Sequence, residues 1–175
     1  MAIYNTATGT SFGTLATNTG FSRQGYTFAG WSTTKNDSST KVSGATTFTS
    51  STTTLYALWN INYYSVSTNI YTNSIDSDNG NSISSPVLVS GSIQSGKYAY
   101  GSEIKLTATA VDPYDFESWN QNGIDKGSGT VSNNGNKSEC NFTITEDTII
   151  IANFATGSIS ARFYCYDITS GSSVL

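Results

Sequence analysis

The chain reads as a mainly β protein: two small tandem modules with little helix, followed by a C-terminal strand. Three observations predict this. Only 11% of the 175 residues are charged, and Ser, Thr, Asn and Gly carry most of the polarity, a composition that suits hydroxyl-rich strands and tight turns better than long helices. Apolar residues alternate with polar ones at a period of two in several short stretches, and no long stretch keeps helical spacing. A segment framed by aromatic residues occurs twice. At 37% hydrophobic and 13% aromatic, the chain holds enough apolar material for one ordinary domain or two small cores.

From Met1 to Thr19 the apolar residues Ile3, Tyr4, Phe12 and Leu15 are too sparse for an amphipathic helix. The pattern predicts a short strand at Ala2 to Asn5 and at most one helical turn at Ser11 to Leu15. Gly25 then breaks the chain, and Tyr26-Thr27-Phe28 alternates as a strand with both rings on one face. The small pair Ala29-Gly30 precedes Trp31, where a bulge would turn the indole inward. Asn36 to Ser39 is a polar turn, and Thr46 to Thr54 is a hydroxyl run expected as exposed strand or loop. Leu55 to Trp59 closes the segment as a strand, with Leu55, Ala57 and Trp59 facing one way and Tyr56 and Leu58 the other.

After a short join at Asn60, Ile61 to Ile70 alternates as one strand opening a second unit. Asp76 to Ser85 is polar and carries the turn pair Asn79-Gly80, and Pro86 to Ile93 supplies a further strand. Ile104 to Ala110 is the cleanest strand, with Ile104, Leu106, Ala108 and Ala110 inward. Asn122-Gly123 and Asn134-Gly135 mark turns, and Phe142, Ile144 and Ile149 to Phe154 provide the closing strands. The expected organisation is a module over residues 1–60, a second over 61–155 and an extension over 156–175.

The segments repeat. Tyr26, Phe28 and Trp31 recur with the same internal spacing as Tyr114, Phe116 and Trp119, and Leu55 to Trp59 recurs as Ile150 to Phe154, with Ala57 matched by Ala152. GYTFAGW followed by TTLYALW closely resembles the Listeria-Bacteroides repeat, the B-repeat kind found in internalins and other bacterial surface proteins. YGSEIKLTATAVDPYDFESW with EDTIIIANF resembles the divergent version, departing from it at Asp112-Pro113 and in a polar excursion from Asn73 to Ser85. The resemblance implies compact β-grasp-like (α+β) modules, strung in tandem between the anchoring and binding parts of large surface proteins. On physical grounds the aromatic residues, each able to bury ~150 to 250 Å², serve as the core of a module short of aliphatic residues. A sugar-binding platform would need them exposed.

The family's modules begin with a strand well ahead of the position equivalent to Phe12, so the first module here is short of one unless Ala2 to Asn5 supplies it. Ser158 to Ile168 is a strand-like run belonging to neither copy. A vacant strand position beside a spare strand predicts edge pairing with other copies or with neighbouring surface or virion proteins, unless this run begins a further module.

Function is narrowed mainly by exclusion. The net charge is −4 with no Lys/Arg cluster, which argues against nucleic acid as a partner. No apolar run reaches the ~20 residues of a membrane span, and Met1 opens into polar sequence without an export signal. With no histidine, Ser-His and Cys-His catalysis and imidazole metal sites are ruled out, and no phosphate-binding glycine loop occurs. Carboxylates for glycoside hydrolysis could come from Asp112, Asp115 and Glu117 or from Glu146 and Asp147, though acidic residues beside turns are usually solvated. Asp76 to Gly80 has the start of a calcium loop but not its distal Glu. Cys140 and Cys165 read as two half-buried thiols or a single bridge.

The expectation is therefore a non-enzymatic display, spacer, decoration or adhesion protein facing outward. Its carrier would be a bacterial cell-surface protein, of which this chain is a fragment, or a bacteriophage virion. No catalytic, cofactor or metal residue is assigned. The alternative is a carbohydrate-binding module presenting Tyr63, Tyr64, Tyr98 and Tyr100 as a stacking surface.

Overall fold

Period-two patterning with frequent Gly and Asn produces short strands and tight turns, and that is what forms. The computed structural model describes residues 2–5, 15, 22–47, 52–73, 80–131, 136–156, 165–167 and 172–174, and among these the regular structure is strand apart from one 3-10 turn.

The first sheet is built from β1 (Ala2–Asn5), β2 (Tyr26–Ser32), β3 (Lys41–Val42) and β4 (Thr52–Ile61), in the order β1-β4-β2-β3. β4 is antiparallel to both neighbours, with Ala2 opposite Leu55 and Trp31 opposite Ala57. The short N-terminal strand thus forms and occupies the position beside β4. The register of β2 against β4 shifts between Phe28 and Gly30, which is the expected bulge. Gly30 sits there at φ 130, and a Cβ would lie 2.7 Å from Cε of Lys41. Trp31, Val42 and Leu55 form the buried cluster, with Leu15, Phe28 and Ala57 packed against it. Leu58, on the opposite face, is buried too, so both faces of β4 are covered. Residues 11–14 of the expected helical turn and residues 48–51 of the hydroxyl run lie outside the described residues.

The single strand expected over Ile61 to Ile70 is instead three pieces. Ile61 ends β4, Tyr63–Tyr64 is β5, and Val66–Thr72 is β6. The breaks fall where backbone hydrogen bonds turn to distant partners. Asn62 N–H donates to Gly25 O (2.9 Å) and Asn62 O accepts from Tyr100 N–H (2.8 Å). At the next break, Ser65 N–H donates to Asp147 Oδ1 (2.8 Å) and Ser65 O accepts from Thr148 N–H (2.9 Å).

β7 (Ser82–Ile83) follows. The strand expected over Pro86 to Ile93 is also split, into β8 (Val87–Ser90) and β9 (Ile93–Gln94). Gly91 at φ 99 bends the chain there, and its α-carbon lies so close to Ser102 that a Cβ would meet Ser102 Oγ at 2.3 Å. β10 (Lys97–Ala99) returns through Ser95 and Gly96, both at positive φ, a two-residue hairpin that pairs Lys97 with Gln94.

The remaining strands are β11 (Ser102–Thr109), β12 (Tyr114–Gln121), β13 (Ile124–Gly127), β14 (Thr130–Val131), β15 (Lys137–Ile144), β16 (Thr148–Thr156), β17 (Cys165–Asp167) and β18 (Ser172–Val174). β11 alternates without a break, burying Ile104, Leu106 and Ala108. Asn122 and Gly123, at φ 50 and 84, make the turn between β12 and β13 as expected. The sheet orders are β5-β10-β9, β14-β15-β11-β7 with β8 also on β11, β13-β12-β16-β6, and the hairpin β17-β18. Of the C-terminal run, 165–167 is strand, paired with 172–174, while 158–164, residue 168 and the side chain of Cys165 lie outside the described residues. So do Asn79 and the pair Asn134-Gly135.

Two compact units result. One, drawn from 1–67, 85–106 and 141–150, buries Trp31, Val42 and Leu55 and also Ile104, Leu106, Phe142, Ile144 and Ile150. The other, drawn from 68–84, 107–140 and 151–175, buries Tyr114, Phe116, Trp119, Ala152 and Phe154.

Candidate functional site

The repeated aromatic residues make a similar arrangement twice, buried throughout in the second frame and buried at Trp31 in the first, where Tyr26, Phe28 and Trp59 are half-buried. Phe28 meets Trp31 at 5.5 Å and Trp59 at 5.6 Å between ring centroids; Phe116 meets Trp119 at 5.2 Å and Phe154 at 5.7 Å. Trp31 is 2% exposed and Trp119 is fully buried. The second frame carries a polar anchor that sequence reading missed: Trp119 Nε1–H donates to Ser138 Oγ (2.9 Å), whose own hydroxyl donates to Ser128 O. A buried indole needs such a partner, but nothing in the sequence says which serine supplies it.

The tyrosine surface is a correction. Tyr98 is buried at 8% exposure, and Tyr63, Tyr64 and Tyr100 are half-buried. Tyr98 and Tyr64 pair across β10 and β5, while the Tyr100 ring covers Gly25 so closely that a Cβ there would fall 2.0 Å from Tyr100 Cγ. With Tyr98 buried, the four rings do not present one exposed stacking surface. Thr27 Oγ1–H donates to Asn62 Oδ1 (2.6 Å), and Asn62 Nδ2–H reaches Tyr64 OH at 3.5 Å, so Asn62 ties Gly25, Thr27, Tyr64 and Tyr100 together.

The candidate carboxylates face solvent. Asp112, Asp115, Glu117, Glu146 and Asp147 are all exposed, and Asp147 accepts the Ser65 backbone bond. Among the described residues no group of three or more acidic or cysteine side chains is placed to hold a metal ion; Asp76 to Asn79 lie outside them. Cys140 is half-buried on β15.

Among the described residues a concave site lies beside β2, β3 and β4, with Trp59 of the first aromatic frame in its lining. It is a groove of about 350 Å³ whose lining includes Arg23, Asn36, Ser38, Lys41, Leu58 and Asn60. Its walls are held in place. Arg23 stacks its guanidinium 3.7 Å over the centre of the Tyr26 ring, and the Lys41 stem passes over the bare Gly30. The turn carrying Asn36 and Ser38 is organised by the buried hydroxyl of Ser32. Ser32 Oγ lies 2.8 Å from Thr34 O and from Asp37 O and 2.6 Å from Thr40 Oγ1, and it accepts from Thr34 N–H at 3.1 Å. Asp37 caps the 3-10 turn Ser38–Thr40; the Ser39 hydroxyl, then the Ser39 backbone N–H, hold its carboxyl below the ordinary value of 3.8. Its charge is therefore engaged within the turn. The groove's polar groups come from four separated stretches, each an ordinary solvated residue in sequence, which is why no motif announced it.

Residues 3–58 match the Listeria-Bacteroides repeat domain, and residues 86–158 match the divergent InlB B-repeat domain. No curated protein and no solved structure matches the chain. Repeats of this kind occur in extracellular surface proteins and are typically non-catalytic structural modules. Among the described residues no helix is long and apolar enough to cross a membrane. The stretch that matches the Listeria-Bacteroides repeat domain holds Phe28 and Trp31, and the stretch that matches the divergent InlB B-repeat domain holds Phe116, Trp119 and Phe154, so the chain carries one segment similar to each kind of repeat.

Proposed function

We propose that the chain is a non-catalytic display or spacer element on an outer surface, serving as stalk, decoration or adhesion module of a bacterial cell-surface protein or of a bacteriophage head, tail or fibre. The observation that carries this reading is the use of aromatic residues as packing frames in both repeats: Trp31 in the first and Phe116, Trp119 and Phe154 in the second are buried in cores. The ties at Asn62, all within one unit, suit a structural element.

Partners on this reading are other copies or neighbouring surface or virion proteins meeting at sheet edges. β8 favours this, because Val87 and Val89 are about half exposed on a strand whose one partner among the described residues is β11. Antibody raised against the folded chain tests the surface assignment. Labelling of intact cells or intact virions is expected, and the carrier is whichever of the two is labelled; labelling of neither until lysis would overturn the reading.

A further inference from the structure

We propose that the groove on the first repeat binds an acidic sugar, a saccharide unit bearing a carboxylate or sulfate. The proposal goes beyond surface display and stands independently of which carrier bears the chain. The charge argument comes first. The protein as a whole is acidic at −4, yet this concavity has Arg23 and Lys41 in its lining and no acidic residue. No carboxylate among the described residues pairs with either cation, and Asp37, the acid nearest in sequence, has its Oδ1 turned to Ser39. Two cations brought together without a counter-charge favour an anion.

Shape and hydrogen-bonding capacity then decide which anion. A bare phosphate or sulfate would leave most of a volume of about 350 Å³ empty, whereas that volume is at the small end of the range for organic ligands. Asn36 and Asn60 each offer an amide donor and acceptor, and Ser38 offers a hydroxyl, which together match the vicinal hydroxyls of a sugar. Trp59, half-exposed in the lining, supplies apolar surface for a ring's C–H face. The guanidinium fork of Arg23, held by its stacking on Tyr26, can take two oxygens of one carboxylate or sulfate, and Lys41 adds a point charge. Pre-positioning by Tyr26, Gly30 and the Ser32-centred turn lowers the ordering cost of binding.

The test is an amide NMR titration of the full chain with glucuronic acid, glucose 6-sulfate, glucose and inorganic sulfate in parallel. Shifts at Asn36, Lys41 and Asn60 are expected with glucuronic acid or glucose 6-sulfate, the stronger response telling which acid group is preferred. Glucose and inorganic sulfate at equal concentration should give little. Arg23→Gln and Lys41→Gln should each weaken the response about tenfold while the rest of the spectrum stays in place. An equal response to glucose, an equal response to inorganic sulfate, or no response to either acidic sugar would each overturn the proposal. So would undiminished binding in the double variant.

Discussion

The Phe28 ring meets Trp59 edge-on at 5.6 Å and 76°, across the pair of strands that opens and closes the first aromatic frame. Phe116 and Phe154 repeat that contact in the second frame at 5.7 Å and 87°. Edge-to-face contact places the positive rim of one ring on the negative face of the other and contributes ~0.5–1.5 kcal/mol beyond area burial. Phe replaces Trp at the closing position while the crossing geometry holds. What the repeat preserves is thus ring packing rather than residue identity.

Phe154→Ala should be among the most damaging single changes in the second repeat. Phe154 is 1% exposed and its loss leaves a cavity beside Phe116, so the expected cost is about 3–5 kcal/mol. Trp59→Ala should cost less despite the larger ring, because Trp59 is only half-buried. Urea unfolding followed by circular dichroism checks the order of the two values.

Ser138→Ala should destabilise by about 1–3 kcal/mol, since it strips the buried Trp119 Nε1–H of its acceptor and Ser128 O of a donor. In a Trp119→Phe background, which has no indole N–H to satisfy, the same serine change should cost measurably less. The double-mutant cycle reads that difference directly, and equal costs in both backgrounds would show that the hydrogen bond contributes nothing.

How much of this was legible depends on where each residue's partner lies. β11 was readable to its inward row because alternation is a property of the strand itself, and the Asn122-Gly123 turn because two positive φ values need those residue types. The bulge before Trp31 was readable from Ala29-Gly30. The break at Ser65 was not, because its backbone is claimed by Asp147 and Thr148, far along the chain. Tyr98 was misread for the same reason: alternation gives two faces, but Tyr64 on a strand distant in sequence helps bury this one. The groove was invisible because Arg23, Asn36, Lys41 and Asn60 become one site only after β2, β3 and β4 pair.

Asp37 should titrate below 3.8, followed by carboxyl carbon NMR, and Ser39→Ala should move it back toward that value. Its folded value is depressed, so any stabilisation it gives is fully present above the ordinary carboxylate range and is lost as pH falls through the folded value. The group is exposed, so the effect on global unfolding should be small and the local one clear. Below that pH the amide signals of Ser38 to Thr40 should shift together as the cap is released, because they share the Asp37 turn. Signals of that turn that stay fixed while Asp37 protonates would show that the carboxylate does not hold it.

Gly25→Ala tests the tie between Gly25, Asn62 and Tyr100, and its cost should separate into two parts. Gly25 sits at φ 75, where an L-residue loses about 1–2 kcal/mol from backbone sterics alone. A Cβ would in addition fall 2.0 Å from Tyr100 Cγ, so the ring must leave its place over Gly25. In a Tyr100→Ala background only the backbone part should remain, and Gly25→Ala should then cost about 1–2 kcal/mol, well below its cost beside the intact tyrosine. The bonds from Asn62 N–H to Gly25 O and from Tyr100 N–H to Asn62 O are main-chain, so Tyr100→Ala leaves both groups in place and their exchange protection should persist. Gly25→Ala beside Tyr100 should instead speed exchange at both amides, as the displaced ring pulls its own backbone away from Asn62. Equal costs of Gly25→Ala in the two backgrounds would mean that the ring does not close on Gly25 in solution.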